Sequence, residues 1–173
     1  MSNIYLDHSA TTPVDKKVLE AMMPYFSDNF GNANSIHSFG QAALAGVDKA
    51  RKQVAKFLNC KPSEIIFTSG ATESDNLAIK GVVKALHVKG LEKMHIITTK
   101  VEHEAVLEPC KELEKEGIEV TYLPVKKNAE VDLAVFEKAI KDNTVLVSVI
   151  YVNSEVGIIE PIREVAKIIK KIN

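Results

Sequence analysis

Glu64-Ile65-Ile66-Phe67-Thr68-Ser69-Gly70-Ala71-Thr72-Glu73-Ser74-Asp75-Asn76 joins an apolar run, a turn of small and hydroxylated residues, and the start of a helical pattern. The run 64–68 reads as a short buried strand, and Asp75 to about Lys89 as a helix ended by Gly90. A helix entered in this way aims its free N–H groups and the positive end of its dipole at the turn Ser69-Gly70-Ala71-Thr72. Small residues let a ligand approach the backbone, and Ser69, Thr72 and Ser74 add hydroxyl donors. That chemistry suits a phosphate group, and it equally suits plain helix capping; spacing alone leaves both open. The stretch is neither a Walker loop nor Gly-x-Gly-x-x-Gly.

Outward from this turn the strand–helix rhythm repeats. His95–Thr99 reads as a strand, Ala105 to about Glu116 as a helix stopped by Gly117, and Ile118–Pro124 as an alternating strand. A helix over Leu133–Lys141 follows, then a long apolar strand over Thr144–Val152. That strand is the richest in β-branched residues and is expected at the centre of the sheet. Pro161 suits the first turn of a last helix running to the end of the chain. Upstream, Asp15–Tyr25 has helical spacing, 31–35 is loop composition, and Ser38 with Gln41 forms a capping-box pattern opening a helix to about Leu58. Four strand–helix alternations imply an α/β fold with an open, mostly parallel sheet and helices on its faces.

The 173 residues suffice for one domain with a real core. Apolar residues make up 46%, and 22 basic against 23 acidic residues leave a net charge of −1, so nothing suggests a nucleic-acid surface. No apolar run approaches membrane-spanning length and no signal pattern opens the chain, so a cytoplasmic location is expected. Two cysteines fifty residues apart, Cys60 and Cys110, form neither a disulfide framework nor a zinc motif, and the histidines at 8, 37, 87, 95 and 103 show no metal-type pairing. Neither cysteine sits where a strong nucleophile is expected.

Ligands of such sheets lie beyond the C-terminal strand ends. Beyond Thr99 stands Val101-Glu102-His103-Glu104, where His103 is either a solvent-facing loop histidine or an imidazole placed to stack on a flat ring or move protons. Beyond Tyr151 stands Asn153-Ser154-Glu155-Val156-Gly157, either a turn satisfying its own backbone or a set of polar contacts to a ring substituent. The opening segment Leu6-Asp7-His8-Ser9-Ala10-Thr11-Thr12-Pro13 reads alone as a capping loop.

Taken together, that opening segment, Gly31-Asn32 with Ser35 and His37, Phe67 to Asn76, Glu102-His103 with Ala105-Val106, and Val152 to Gly157 resemble the group I cysteine desulfurases of the NifS/IscS type, within the class-V aminotransferases. The matches run in order from one end of the chain to the other. The resemblance implies a fold type I pyridoxal-phosphate enzyme, with residues 1–14 on the small-domain rim and 15–173 forming the first part of the large cofactor-binding domain. It implies conversion of L-cysteine to L-alanine with an enzyme-bound persulfide, supplying sulfur for iron–sulfur clusters or tRNA thiolation through an acceptor or scaffold protein. It also implies a homodimer, with no direct nucleic-acid or membrane partner.

By motif match, Ala71 and Thr72 would bind the cofactor phosphate, and His103 would stack on the pyridine ring and help move protons. Ser154 falls where the family commonly has asparagine beside the ring oxygen, so a shorter hydroxyl contact replaces it or Asn153 covers it. Ala33 stands where proline is usual and Ala129 where glycine is common. The family is about twice as long, and its Schiff-base lysine, pyridine-pairing aspartate and sulfur-accepting cysteine all match positions beyond Asn173. Residues 1–173 alone are therefore expected to be inactive, and to associate through the homodimer or open sheet edges. The other reading kept is a non-catalytic cofactor-binding or assembly module that retains the phosphate turn.

Overall fold

A computed structural model describes residues 4–172. Residues 1–3 of the expected rim segment, and Asn173 at the end of the expected last helix, lie outside the described residues. The chain divides after Phe67 into two compact units.

The first unit is helical. Asp15 caps α1 (Lys16–Met22) by accepting the Lys17 N–H, and Pro24 opens a separate short helix α2 (Pro24–Ser27), so the expected single helix to Tyr25 is broken at Met23. The long helix α3 (Ser38–Leu58) is capped not by Ser38 but by His37, whose Nδ1 accepts the Gly40 N–H. Gln41 donates back to the Ile36 carbonyl instead of completing a capping box. A 3-10 turn, Pro62–Glu64, follows. Residues 64–68 do not form the expected strand. No strand among the described residues pairs with them; the Arg51 guanidinium takes the Ile65 carbonyl and lies over the Phe67 ring, and Ile66 remains exposed.

The second unit carries the parallel sheet. Its elements are α4 (Ala71–Val88), β1 (His95–Thr99), α5 (Glu104–Lys115), β2 (Glu119–Leu123), α6 (Leu133–Ala139), β3 (Thr144–Val147) and α7 (Ile162–Ile172). Gly90 and Gly117 stop α4 and α5 at φ +85° and +90°, a left-handed conformation that glycine adopts without steric cost. The strand order is β2-β1-β3, all parallel. The centre is thus β1 and not the β-branched run at 144–152. Only 144–147 of that run pairs as a strand, and its residues are half-buried, as suits an edge.

All five residues of β1 are buried, and they alternate between two cores. Ile96 packs with Ile79 and Val83 of α4 and with Val106, Cys110 and Leu113 of α5. Ile97 packs on the opposite face with Leu123, Val131, Phe136 of α6 and Val165 of α7. Helices therefore cover both faces of the sheet. Each fully buried aliphatic side chain contributes on the order of 2 kcal/mol by leaving water.

His95 fastens the lower end of the sheet. Its Nδ1 and Nε2 each lie 2.8 Å from a threonine hydroxyl, Thr144 on β3 and Thr121 on β2, so one imidazole bridges all three strands. Burial, with Lys141 nearby, holds its pKa below the ordinary histidine value, against a smaller opposing effect of Glu119. The folded state therefore favours neutral His95. Its contribution to stability is present above the unfolded-state histidine pKa and is lost as pH falls through that value toward the depressed one.

Ala129 sits in the turn between Val125 and Val131 at φ +66°, a left-handed conformation costly for a residue with a Cβ.

Two outcomes are expected in denaturant melts. His95→Ala leaves two threonine hydroxyls short of a partner and lowers stability by about 2 kcal/mol at neutral pH, with a smaller difference from wild type below the histidine range. Ala129→Gly raises stability by about 0.5 kcal/mol, relief of backbone strain exceeding the added freedom of the unfolded chain.

Candidate functional site

The site lies wholly within the second unit, at the starts of α4 and α5 and beyond the end of β3. Gly70 precedes α4 with extended backbone, and Ser74 N–H donates to the Gly70 carbonyl at 3.1 Å. Ser69 is already engaged: its N–H and its hydroxyl both donate to Glu73 Oε2, at 2.6 and 2.7 Å. These two bonds hold the Glu73 carboxyl below its ordinary range. The Thr68 and Ser74 hydroxyls bond each other at 2.6 Å. No acceptor among the described residues takes the N–H groups of Ala71 or Thr72. Both residues are exposed at the positive end of an 18-residue helix. Of the donors foreseen in this turn, Ala71 and Thr72 are open to an anion, whereas Ser69 and Ser74 are spent on the turn itself. The turn follows an unpaired extended segment and not a strand.

Asn76 joins this turn to the next helix. Its Nδ2 donates to the Thr72 carbonyl at 3.0 Å and lies 3.5 Å from the Ala105 carbonyl. Ala105 has that carbonyl to spare because Pro109, four residues on, has no N–H to give it. The starts of α4 and α5 are thereby neighbours, and Lys80 and Glu112 pair between the same helices.

His103 caps α5. Its Nδ1 accepts the Ala105 N–H at 3.0 Å, so in the neutral ring the proton sits on Nε2, and the side chain is exposed. A capped imidazole has one ring nitrogen fixed by backbone and the other available for proton exchange.

Glu102, beside it, is 8% exposed. Its Oε1 accepts the Thr99 hydroxyl at 3.1 Å and the Ile150 N–H at 2.7 Å. Burial pushes this carboxyl above the ordinary range, with Asp75 and Glu160 adding to the rise and the two hydrogen bonds opposing it. Asn153 is equally committed. Its Nδ2 donates to the Val101 carbonyl at 2.8 Å, and its Oδ1 accepts the N–H of Glu155 and Val156 at 2.9 and 3.1 Å. Asn153 is 5% exposed, whereas Ser154 beside it is exposed. The amide of Asn153 thus serves backbone, and the Ser154 hydroxyl is the group this turn turns outward to solvent.

Sequence reasoning passed over Glu102. The only signal available was its place, three residues beyond the last strand threonine and next to His103. Cys110 is fully buried, and burial together with Glu114 and Glu102 pushes its thiol up to about 11, so it stays protonated and unreactive. No cluster of potential metal ligands occurs among the described residues, and no helix among them is long and apolar enough to cross a membrane.

The aminotransferase class-V family model matches residues 4–173. Cysteine desulfurase IscS of Dictyoglomus turgidum is 52% identical over 168 residues, covering 97% of this chain and 42% of the relative. Its counterpart in Rickettsia bellii is 53% identical over 169 residues, covering 97% and 40%. Among solved structures, a NifS-like protein superposes with a TM-score of 0.94 at 44% identity, over 99% of this chain and 46% of that one. SspA in complex with cysteine gives 0.88 at 42%, over 96% and 47%. The chain spans about two-fifths of the length of the curated relatives it matches.

The two neighbouring residues of the last turn are separable by mutation. Asn153→Ala takes the buried partner from a half-buried carbonyl and two turn N–H groups and is expected to cost about 1–2 kcal/mol in urea melts. Ser154→Ala, at an exposed hydroxyl, is expected to stay within about 0.5 kcal/mol of wild type.

Proposed function

Because this chain belongs to the aminotransferase class-V family, we propose that it carries the phosphate-end half of the cofactor site of a pyridoxal-phosphate-dependent cysteine desulfurase. Proteins of this family and the cysteine desulfurases depend on pyridoxal phosphate. The observation that carries the reading is the pair of open N–H groups at Ala71 and Thr72, at the start of a long helix where the Ser69 and Ser74 donors are spent on the turn itself.

The residues present fit the group. A dianionic phosphate is complementary to the N-terminus of α4, where Ala71 and Thr72 give two backbone donors and Thr72 a hydroxyl. His103 offers an exposed ring with its Nε2 available, and Ser154 an exposed hydroxyl in place of the asparagine usual at that position. Bound pyridoxal phosphate supplies an electron sink for carbanion chemistry at the substrate α-carbon. The contribution of this chain would be to hold the phosphate, face the ring with His103, and move a proton at His103 Nε2. By the resemblance to the desulfurases, no lysine within residues 1–173 matches the Schiff-base position, so the aldehyde end would be held by residues outside these.

L-Cysteine is the proposed substrate, a sulfur-acceptor or scaffold protein the proposed partner, a homodimer the proposed assembly, and the cytoplasm the proposed location. The cysteine reading draws support from the SspA structure, in which that protein is in complex with cysteine. Assembly draws support from large apolar side chains standing free in the first unit, Ile36 at 92%, Phe57 at 88% and Leu6 at 87% exposed, since such surface is usually covered.

The activity is read on the protein as the cell makes it, purified with pyridoxal phosphate and given L-cysteine with a thiol reductant. One L-alanine is expected per sulfur released, and His103→Ala is expected to lower kcat by about 100-fold or more. Cofactor binding without cysteine-dependent alanine would overturn the desulfurase reading in favour of a binding module.

A further inference from the structure

Two of the loops that carry candidate cofactor contacts exchange buried side chains. The loop after β1 sends Glu102 to the Ile150 N–H, 48 residues away in sequence, at 2.7 Å. The chain after β3 sends Asn153 Nδ2 back to the Val101 carbonyl, 52 residues away, at 2.8 Å. Each loop therefore supplies one buried polar side chain to the backbone of the other.

The need for this exchange follows from strand length. The last ladder contact between the two is Ser148 N–H to the Ile97 carbonyl at 2.9 Å. Beyond Thr99, β1 has ended, and the 148–152 segment continues without a strand beside it on that side. The Glu102 carboxylate stands where a strand carbonyl would otherwise be, accepting the next inward N–H at Ile150. Its own geometry is set by the Thr99 hydroxyl at 3.1 Å. On the other side, Asn153 closes its turn through Glu155 and Val156 N–H, and through an antiparallel bridge between Val152 and Ile159. Both buried residues precede, by one position, the exposed residue proposed to face the cofactor: Glu102 precedes His103, and Asn153 precedes Ser154.

We infer that Glu102 and Asn153 form a reciprocal clasp that fixes His103 and Ser154 in one relative placement, making Glu102 a positioning residue of the cofactor site. The inference rests on the proposed function for its consequence, but the clasp itself is a property of the protein without cofactor. An acceptor oxygen, not a charge, is what the Ile150 N–H requires. Burial, with the negative charges of Asp75 on α4 and Glu160 ahead of α7 adding to it, favours its uncharged form.

The test compares Glu102→Gln, Glu102→Asp and Glu102→Ala with wild type, and reads two things. On cofactor-free protein, NMR follows the His103 ring signals, the Ser154 amide and hydrogen exchange at the Ile150 amide. On protein loaded with pyridoxal phosphate, visible circular dichroism and the dissociation constant are measured. Glu102→Gln, which keeps an acceptor at the same reach, is expected to leave every readout near wild type. Glu102→Asp, one methylene short, and Glu102→Ala are expected to speed Ile150 exchange by about 10-fold and shift the His103 and Ser154 signals. They are also expected to weaken cofactor binding by about 10-fold and alter its dichroism, because misplaced contacts lose pre-organisation.

A folded Glu102→Asp or Glu102→Ala protein with fast Ile150 exchange but unmoved His103 and Ser154 signals would overturn the inference, leaving Glu102 a purely structural residue. So would a Glu102→Gln protein as impaired as Glu102→Ala, since the charge and not the acceptor would then matter. Wild type that binds no pyridoxal phosphate would sink the cofactor reading alone; the NMR arm would still decide whether the clasp positions the two residues.

Discussion

Burial of β1 from both sides is the constraint about which the second unit is arranged. A strand with no solvent-facing side chain must find an apolar cover on each face and a partner strand on each edge, or leave polar backbone unpaired. Ile96 and Ile97 divide the two covers between α4 with α5 and α6 with α7. The polar residues of β1 are placed accordingly. His95 at one end and Thr99 at the other do not face water: His95 joins the three strands through Thr144 and Thr121, and Thr99 holds the Glu102 carboxyl of the loop that follows it.

The two ends of β1 serve different purposes. At the N-terminal end the His95 bridge is a matter of stability and carries a pH dependence of its own. At the C-terminal end the same logic of buried polar satisfaction shapes the candidate site, because the loops leaving β1 and β3 satisfy one another's backbone once the strands part. The start of α4 is brought to the same region by Asn76 and by packing on α5. Chemistry at the ends of parallel strands is thus a consequence of where the sheet stops being able to satisfy itself.

Much of this was legible in the chain. Gly90 and Gly117 mark helix ends, and His95–Thr99 is a strand to the residue, because punctuation and short apolar runs act locally. The Ala71-Thr72 turn and His103 were legible as helix starts at strand or segment ends. The centre of the sheet was not legible, because β-branched content at 144–152 reports burial and stiffness, whereas position in a sheet is set by which helices cross over it. The run at 64–68 has strand composition but no neighbour among the described strands, and a strand exists only as a pair. That the Asn153 amide serves backbone was not legible either, because an exposed amide and a buried one have the same letter; the Val101 carbonyl 52 residues away tells them apart.

The spacing of that exchange also orders events in time. Glu102 and Ile150 stand far apart along the chain, and closing so long a loop costs conformational entropy that no local turn repays. The helices α4 and α5 can form from neighbouring residues as they emerge, but His103 and Ser154 acquire a fixed relation only after β3 has docked against β1. A protein built this way orders the two turns together: fixed signals from His103 and Ser154 would report that β3 had closed on β1.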